Sequence, residues 1–494
     1  MHFSSFEQSR RHFLTGAACG CGAVLTGCVS TNKATGDSSF TGFYSEEDDI
    51  KLGRQQHPIL MKQFGGEYDN VRIQNYVTSI GNKAAAFAEY KFPYKFTVVN
   101  SPIVNAFALP GGYVYVSRGL LALASTEAEL AGVISHEIGH VTARHTAERL
   151  SQAQLAQFGV GLVGILTGSS AAANLAGQGA GIYLQQYSQS QELEADTLGI
   201  RYMTKAGYSP DAMTDFLSSL RDNSRFEAER AGQNPNKVDE YNMLATHPRT
   251  IERVQQAERL AATIRPPNPY IGREAFLDQI NGILYGDDPS QGFIDGRNFI
   301  HPELRFEFTV PEDFVLRNSQ KNVVAIHPDG AQIIFDMGKA ARGVSMAEYL
   351  QYDWTRKHDV QGLESINVNG AAAATATTTG RSGNTNMDLR LVAIRGERDQ
   401  VYRFIFATVP NKTRQFQTGL RRTTYSFHRI SKADAANIKP RRLIVVPIHQ
   451  GDTIASLSRS MPFGKFNEKA FRVLNDLGPN DPLPNSGMVK VVAV

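Results

Sequence analysis

The chain has 494 residues, a formal net charge of +3, 41% hydrophobic residues and three cysteines. This near balance of charge argues against a protein dedicated to nucleic acid, and so few cysteines argue against a scaffold held by disulfides. The length is enough for about three domains.

The first residues have the pattern of an export signal. Residues 9–14 (Ser-Arg-Arg-His-Phe-Leu) resemble a twin-arginine signal, and the apolar stretch that follows is too short to span a bilayer. Residues 25–28 (Leu-Thr-Gly-Cys) resemble a bacterial lipobox, in which Cys28 becomes the acylated first residue. We expect a signal peptide at 1–27 and a flexible tether at 28–43. The expected location is the cell envelope, lipid-anchored and facing the periplasm, and Val29 favours the outer membrane.

Two helices and two strands are predicted before the central motif. Residues 45–62 and 70–88 have helical periodicity, and residues 94–100 and 113–116 have the composition of strands. Between the strands, the turn at residues 109–112 (Leu-Pro-Gly-Gly) is expected to direct a strand edge toward the next helix. Such an edge can pair with an extended peptide.

Residues 136–140 (His-Glu-Ile-Gly-His) form an H-E-x-x-H motif. On a helix, His136 and His140 lie 400° apart around the axis, so both imidazoles share a face and can bind one zinc. Glu137 projects about 100° away from His136. A bound zinc lowers the pKa of a water molecule to about 7, and a neighbouring carboxylate can accept its proton during attack on a carbonyl. The motif predicts zinc ligands at both histidines and a general base at Glu137.

The surroundings of the motif favour a helix. Thr126 and Glu129 have the spacing of a capping box, and an apolar stripe follows them. His145 is nine residues beyond His136 and therefore half a turn out of phase on a continuous helix. We expect His145 to face away and to be structural. Residues 155–182, apolar and rich in Gly and Ala, are expected to form a buried helix or a mobile cover rather than a membrane span.

A second acidic segment offers the third ligand. Glu192 and Asp196 are four residues apart and share one helical face, whereas Glu194 lies about 200° around from Glu192. We expect Glu192 to bind the metal and Asp196 to accept the second N–H of a ligand histidine. Glu194 is expected to be a solvated surface charge.

These segments together resemble the HtpX-like and CAAX-prenyl-protease family of zinc metallopeptidases. The matching segments are residues 105–112, 119–121, 136–140, 192–196, 206–210 and 246–248. The resemblance implies a gluzincin fold at 44–265 with one zinc per chain, and makes Asn105 a further candidate near the site. His247 is either an ordinary loop histidine or lies near the zinc, where it would donate to the oxyanion or close the open position. The family usually has arginine where this chain has Gln189, so a guanidinium contact at the site is in doubt.

The remaining chain contains two further units after a linker at 266–299. Residues 300–432 alternate apolar and polar positions and predict an α+β accessory domain, with residues 371–379 as a strand before an exposed turn. Residues 440–494 resemble a LysM module, a β-α-α-β unit that binds glycans such as those of peptidoglycan. Glycan binding and a purely structural cap both remain open for this segment. The expected fold class is therefore α+β, with a mostly helical zincin-type catalytic domain that contains a small sheet.

Three functions remain open from the sequence. The first is a zinc metalloendopeptidase that hydrolyses envelope proteins in protein quality control. The second is a periplasmic chaperone or assembly factor with secondary hydrolysis. The third is a wall-anchored glycan-binding protein with a structural metal. A structural zinc site needs no base, so Glu137 argues against the third function.

Overall fold

The computed structural model describes residues 30–36, 38–39, 41, 44–152, 187–230, 232–236, 251–319, 322–356, 359–383 and 385–494. The chain forms two compact units. The first comprises the described residues up to Ile283 together with Leu443–Ala493, and the second comprises Leu284–Arg442. In the described part of the chain, no helix is both long and apolar enough to cross a membrane.

The first unit is mostly helical, as predicted. Its helices are α1 (Glu46–Gln63), α2 (Val71–Ala85), α3 (Arg118–Leu123), α4 (Glu127–Thr142), α5 (Gln189–Lys205), α6 (Asp211–Arg230), α7 (Ile251–Thr263) and α8 (Arg273–Ile280). A short pair of strands, β1 (Ser30–Thr31) and β2 (Ser38–Ser39), precedes them.

A small three-stranded sheet completes this part of the unit. Its strands are β3 (Lys95–Val99), β4 (Ala106–Leu109) and β5 (Tyr113–Ser117), in the order β3-β5-β4. Strands β3 and β5 are parallel, whereas β4 and β5 are antiparallel and joined by the predicted turn. Gly111 in that turn has φ 76°, and a Cβ there would lie 2.6 Å from Ile50 Cα, so the turn requires glycine. Because β4 pairs only with β5 in this order, it lies at an edge of the sheet.

Helix α4 is buried along nearly its whole length. The Thr126 hydroxyl caps it by accepting from the Glu129 N–H, and the Glu129 carboxylate accepts from the Ser125 N–H at 2.8 Å. Two glycines then bring α4 and α5 into contact. A Cβ on Gly139 would lie 2.8 Å from Ala195 O, and one on Gly199 would lie 2.9 Å from His136 Cα. This close approach sets the acidic face of α5 against the histidines.

Two predicted connecting segments are folded. In the expected tether, Asn32 is 3% exposed and its Nδ2 donates to Thr142 O at 3.0 Å, so the segment packs on the end of α4. In the expected linker, α8 buries Phe276, Leu277 and Ile280. Composition predicted a flexible tether, but the Asn32 amide in it finds a buried partner.

The C-terminal segment has the predicted strand and helix order but does not stand apart. Its elements are β17 (Arg442–Pro447), α12 (Ile454–Ser458), α13 (Asn467–Leu474) and β18 (Met488–Ala493), and the two strands pair. Lys490 of β18 is fully buried, and its Nζ donates to the carbonyl groups of Ala122, Leu123 and Ala124 at 3.2, 2.7 and 2.7 Å. This segment is therefore part of the first unit rather than a separate domain.

The second unit is rich in strands, with inward-facing aromatic residues. Its described residues contain one sheet of seven strands and one sheet of four strands. The predicted alternation is confirmed in β8 (Phe306–Thr309), where Phe306 and Phe308 are buried. The predicted strand at 371–379 lies within β13 (Ala371–Ser382).

The other elements of this unit are nine further strands and three α-helices in its described residues. The strands are β6 (Phe293–Asp295), β7 (Asn298–His301), β9 (Val315–Asn318), β10 (Val323–Ile326), β11 (Gln332–Lys339), β12 (Gln361–Val368), β14 (Thr385–Arg395), β15 (Gln400–Thr408) and β16 (His428–Arg429). The helices are α9 (Met346–Glu348), α10 (Thr413–Ser426) and α11 (Lys432–Asn437). The strand order is β12-β13-β14-β15-β11-β10-β9 in the sheet of seven strands and β16-β8-β7-β6 in the sheet of four.

Candidate active site

Three side chains from two helices converge at the centre of the first unit. His136 and His140 lie on α4, and Glu192 lies in the first turn of α5. The two Nε2 atoms are 3.0 Å apart, and oxygens of the Glu192 carboxylate lie 3.6 Å from His136 Nε2 and 3.4 Å from His140 Nε2. Two ligands about 2.1 Å from a tetrahedral zinc stand roughly 3.4 Å apart, so these distances fit zinc. All three residues are buried, and they form a group able to hold a metal ion.

Asp196 lies one turn after Glu192 and contacts the other nitrogen of His136. Its Oδ1 is 2.8 Å from His136 Nδ1, the position expected from the shared face of α5. The contact fixes the His136 ring with Nε2 toward Glu192, because the proton on Nδ1 is directed to the carboxylate. Burial alone would raise the pKa of Asp196, but the charge and hydrogen bonds of Arg253 outweigh it and hold this pKa below its usual value.

Arg253 of α7 supplies the guanidinium that the sequence left in doubt. Its Nε and Nη2 donate to the two Asp196 oxygens at 2.7 Å each, and its Nη1 lies 2.6 Å from Glu192 Oε2. The side chain is 4% exposed. A guanidinium contact is therefore present at the site, although Gln189 stands where the family usually has arginine. One signal was available, because Arg253 is in helical phase with the buried Ala257 and Ala261 of α7.

His145 is the clearest difference from the sequence prediction. Its Nδ1 lies 2.8 Å from His140 Nδ1, and its Nε2 lies 2.9 Å from Glu194 Oε2. Helix α4 ends at Thr142, and Arg144 has φ 59°, so the chain leaves the helical phase before His145. The prediction that His145 faces away was wrong because it assumed a continuous helix. Glu194, expected to be a solvated charge, is instead the hydrogen-bond partner of this histidine.

Glu137 and Tyr187 occupy the same buried region. Glu137 is 1% exposed. The Tyr187 ring stacks on the His140 ring with centroids 3.8 Å apart, and the Arg149 guanidinium lies 4.1 Å from the tyrosine centroid. Burial raises the pKa of Tyr187 and outweighs the opposing charge of Arg149, so the hydroxyl stays protonated at neutral pH. No motif or periodic pattern in the sequence marks Tyr187 as part of the site.

A small cleft beside His140 is bordered by the edge strand. Ala108, Leu109 and Pro110 line it together with His140 and Tyr187. Asn105 lies just before β4, where its N–H donates to Ser117 Oγ at 3.0 Å. The edge of β4 and the histidine helix therefore face one cleft, as the turn at residues 109–112 predicted.

Several predicted features lie outside the described residues. These are the signal peptide at 1–27, the lipidation site Cys28, the apolar stretch at 155–182, and His247 with its neighbours.

Comparisons with known proteins point to one peptidase family. Residues 72–261 match the model of Peptidase family M48. The chain is 35% identical over 249 residues to the "Beta-barrel assembly-enhancing protease" of Yersinia pestis, covering 48% of this chain and 47% of that protein. It is 31% identical over 204 residues to the protein of the same name from Escherichia coli (strain K12), covering 39% and 40%. It is also 32% identical over 165 residues to the "Mitochondrial metalloendopeptidase OMA1" of Saccharomyces cerevisiae, covering 33% and 45%.

The chain thus spans less than half the length of each of these relatives. The matched segment contains both histidines, Glu137, Glu192, Asp196 and Arg253. Residues 72–261 are therefore a zincin-type metallopeptidase domain of family M48.

Proposed function

We propose that this protein is a zinc-dependent metalloendopeptidase that hydrolyses peptide bonds in proteins of the bacterial envelope and serves in their quality control. One observation carries the proposal: His136, His140 and Glu192 converge with zinc spacing while Glu137 is buried beside them. A binding protein would have no chemical need of a general base beside such a ligand set.

The chain's own residues divide the chemical work. When bound, zinc acts as a Lewis acid that polarises the substrate carbonyl and activates water. Glu137 accepts the proton of the attacking water and then transfers it to the leaving amine. Asp196 and Arg253 hold the His136 ring and the Glu192 carboxylate in place, so little reorganisation is needed during the reaction.

The edge strand supports a substrate that is read through its backbone. An extended peptide can pair with β4 by strand addition, which depends on main-chain hydrogen bonds more than on side chains. Unfolded or stalled polypeptides present such extended segments. The names of the relatives, which mention β-barrel assembly, favour envelope proteins as the substrate class.

We also propose the narrower assignments that the sequence suggested. These are an HtpX-like and CAAX-protease type of domain, export as a lipoprotein anchored through Cys28, and an outer-membrane location facing the periplasm. His247 near the zinc remains a proposal as well. The β-α-α-β order of residues 443–493, with an exposed loop at 449–451, supports a LysM-like module that contacts peptidoglycan glycans.

A rescue experiment separates the peptidase from the chaperone alternative. Glu137→Gln keeps the shape of the side chain, but its amide cannot accept the water's proton at neutral pH. A strain that lacks the gene is complemented with wild type or with this variant under envelope stress, and zinc content is compared in the purified proteins. We expect equal zinc content and failure of rescue. Full rescue by Glu137→Gln would overturn the peptidase function and favour a binding role.

A further inference from the structure

The second nitrogen of each ligand histidine has a protein partner, and the two partners differ. His136 Nδ1 meets the Asp196 carboxylate at 2.8 Å. His140 Nδ1 meets another imidazole, that of His145, also at 2.8 Å. His145 is 1% exposed and holds Glu194 with its remaining nitrogen at 2.9 Å, while Glu194 is 31% exposed. A chain of contacts thus runs from the protein surface to one ligand of the zinc site.

We propose that His145 is a positioning residue that fixes the ring of His140 with Nε2 toward the zinc. This inference rests on the proposed function, because it concerns the ligand set of that same site. It assigns to Glu194 the role of holding His145 in the required orientation.

The contacts between Glu194, His145 and His140 indicate which nitrogen of each imidazole carries a proton. An ionised carboxylate only accepts, so Glu194 requires a proton on His145 Nε2. Neutral His145 then has a bare Nδ1, which can only accept from His140. His140 therefore carries its proton on Nδ1, and its Nε2 keeps the lone pair that faces His136 and Glu192. A metal-binding imidazole needs this tautomer, and its partner keeps the ring from rotating.

The backbone near Arg144 is built to place His145 there. A left-handed conformation is strained for a residue other than glycine and persists only when its surroundings hold it. The Arg144 guanidinium is held by Asp49 Oδ2 through its Nε at 2.7 Å and by Tyr44 O through its Nη2 at 2.7 Å. Helical residues resume at 145, so the break serves to turn His145 back toward His140.

The test uses zinc affinity and the visible spectrum of the cobalt-substituted protein, neither of which requires turnover. We expect His145→Ala to weaken zinc about 10–100-fold, as for loss of other partners of ligand histidines. The cobalt spectrum should change, because the His140 ring gains freedom. His145→Asn places an amide oxygen near the position of Nδ1 and should restore affinity to within about tenfold of wild type. Glu194→Ala, at a partly exposed position, should cause a smaller loss in the same direction.

His57→Ala is the matched control. This histidine lies on α1 in the same unit, is partly buried, and its Nδ1 also makes a short hydrogen bond, 2.6 Å to the Tyr115 hydroxyl. We expect it to leave zinc affinity and the cobalt spectrum unchanged. Wild-type affinity and spectrum in His145→Ala, or no recovery in His145→Asn, would overturn the inference while leaving the proposed function intact. A wild-type protein that binds no zinc would overturn both.

Discussion

The buried guanidinium of Arg253 provides a quantitative test of how the site is held together. It compensates two carboxylates at once, those of Asp196 and Glu192, at distances of 2.6–2.7 Å. Each attraction is worth about 4 kcal/mol at 4 Å with an effective dielectric constant of 20, but the cost of burying the guanidinium offsets much of the sum. Removing one partner of a buried pair typically costs about 3–5 kcal/mol, because a charge is left uncompensated. We expect Arg253→Met to destabilise the first unit by this amount.

The chain offers a matched control in Arg201. Its Nη2 lies 2.7 Å from Glu89 Oε1, a contact as close as those of Arg253, but its side chain is 33% exposed. Exposed pairs contribute about 0–1 kcal/mol because water screens both charges. Arg201→Met should therefore cost little. Arg253→Lys should lie between the two, since lysine keeps the charge but loses the bidentate geometry.

Denaturant unfolding followed by helical circular dichroism in the presence of a chelator measures these losses without a contribution from metal. We expect the free energy of unfolding to fall by about 3 kcal/mol more in Arg253→Met than in Arg201→Met. Equal losses for the two variants would refute it, because burial would then not determine the strength of the contact.

Three further predictions concern the metal, the C-terminal segment and the second unit. Removal of zinc by a chelator should lower the free energy of unfolding of the first unit by about 4 kcal/mol, compared with protein in free zinc at a thousandfold its Kd. The unfolding transition followed by fluorescence of Trp354, the chain's one tryptophan, which lies in the second unit, should not change. Lys490→Met should destabilise the first unit by at least about 2 kcal/mol in thermal unfolding, because three buried carbonyl groups lose their donor. A variant as stable as wild type would contradict this prediction. Burial lowers the pKa of His301 to about 4, so the unfolded chain binds a proton that the folded unit excludes, and stability should fall as pH falls from about 6.5 to 4. His301→Asn should flatten that decline in Trp354 fluorescence, and an unchanged slope would assign the decline to other groups.

The parts of the site that follow helical periodicity could be predicted from the sequence. His136 and His140 share a face because they are four residues apart, and Glu192 and Asp196 share one for the same reason. The structure brings these two faces together. The Leu-Pro-Gly-Gly turn between β4 and β5 could also be predicted, because both of its glycines adopt positive φ.

The features that were missed depend on breaks in periodicity or on distant partners. Arg144 adopts a left-handed conformation without being Gly or Asn, so the sequence carries no mark of the break that redirects His145. Lys490 lies in an apolar strand, and its carbonyl partners are 366–368 residues away in the chain. Arg253 is 57 residues from Asp196. Such pairs become visible only when the fold is known.

Zinc-dependent hydrolysis with Glu137 as general base is tested by the rate at which the purified protein cleaves an unfolded envelope protein. Wild type and Glu137→Gln are compared at equal zinc content, with kcat/KM measured on the same substrate and the cleavage products identified by mass spectrometry. We expect hydrolysis by wild type and a loss of about 10²–10⁴-fold in Glu137→Gln, the usual effect of removing a general base. Equal rates for the two proteins, or no hydrolysis by zinc-loaded wild type, would contradict it.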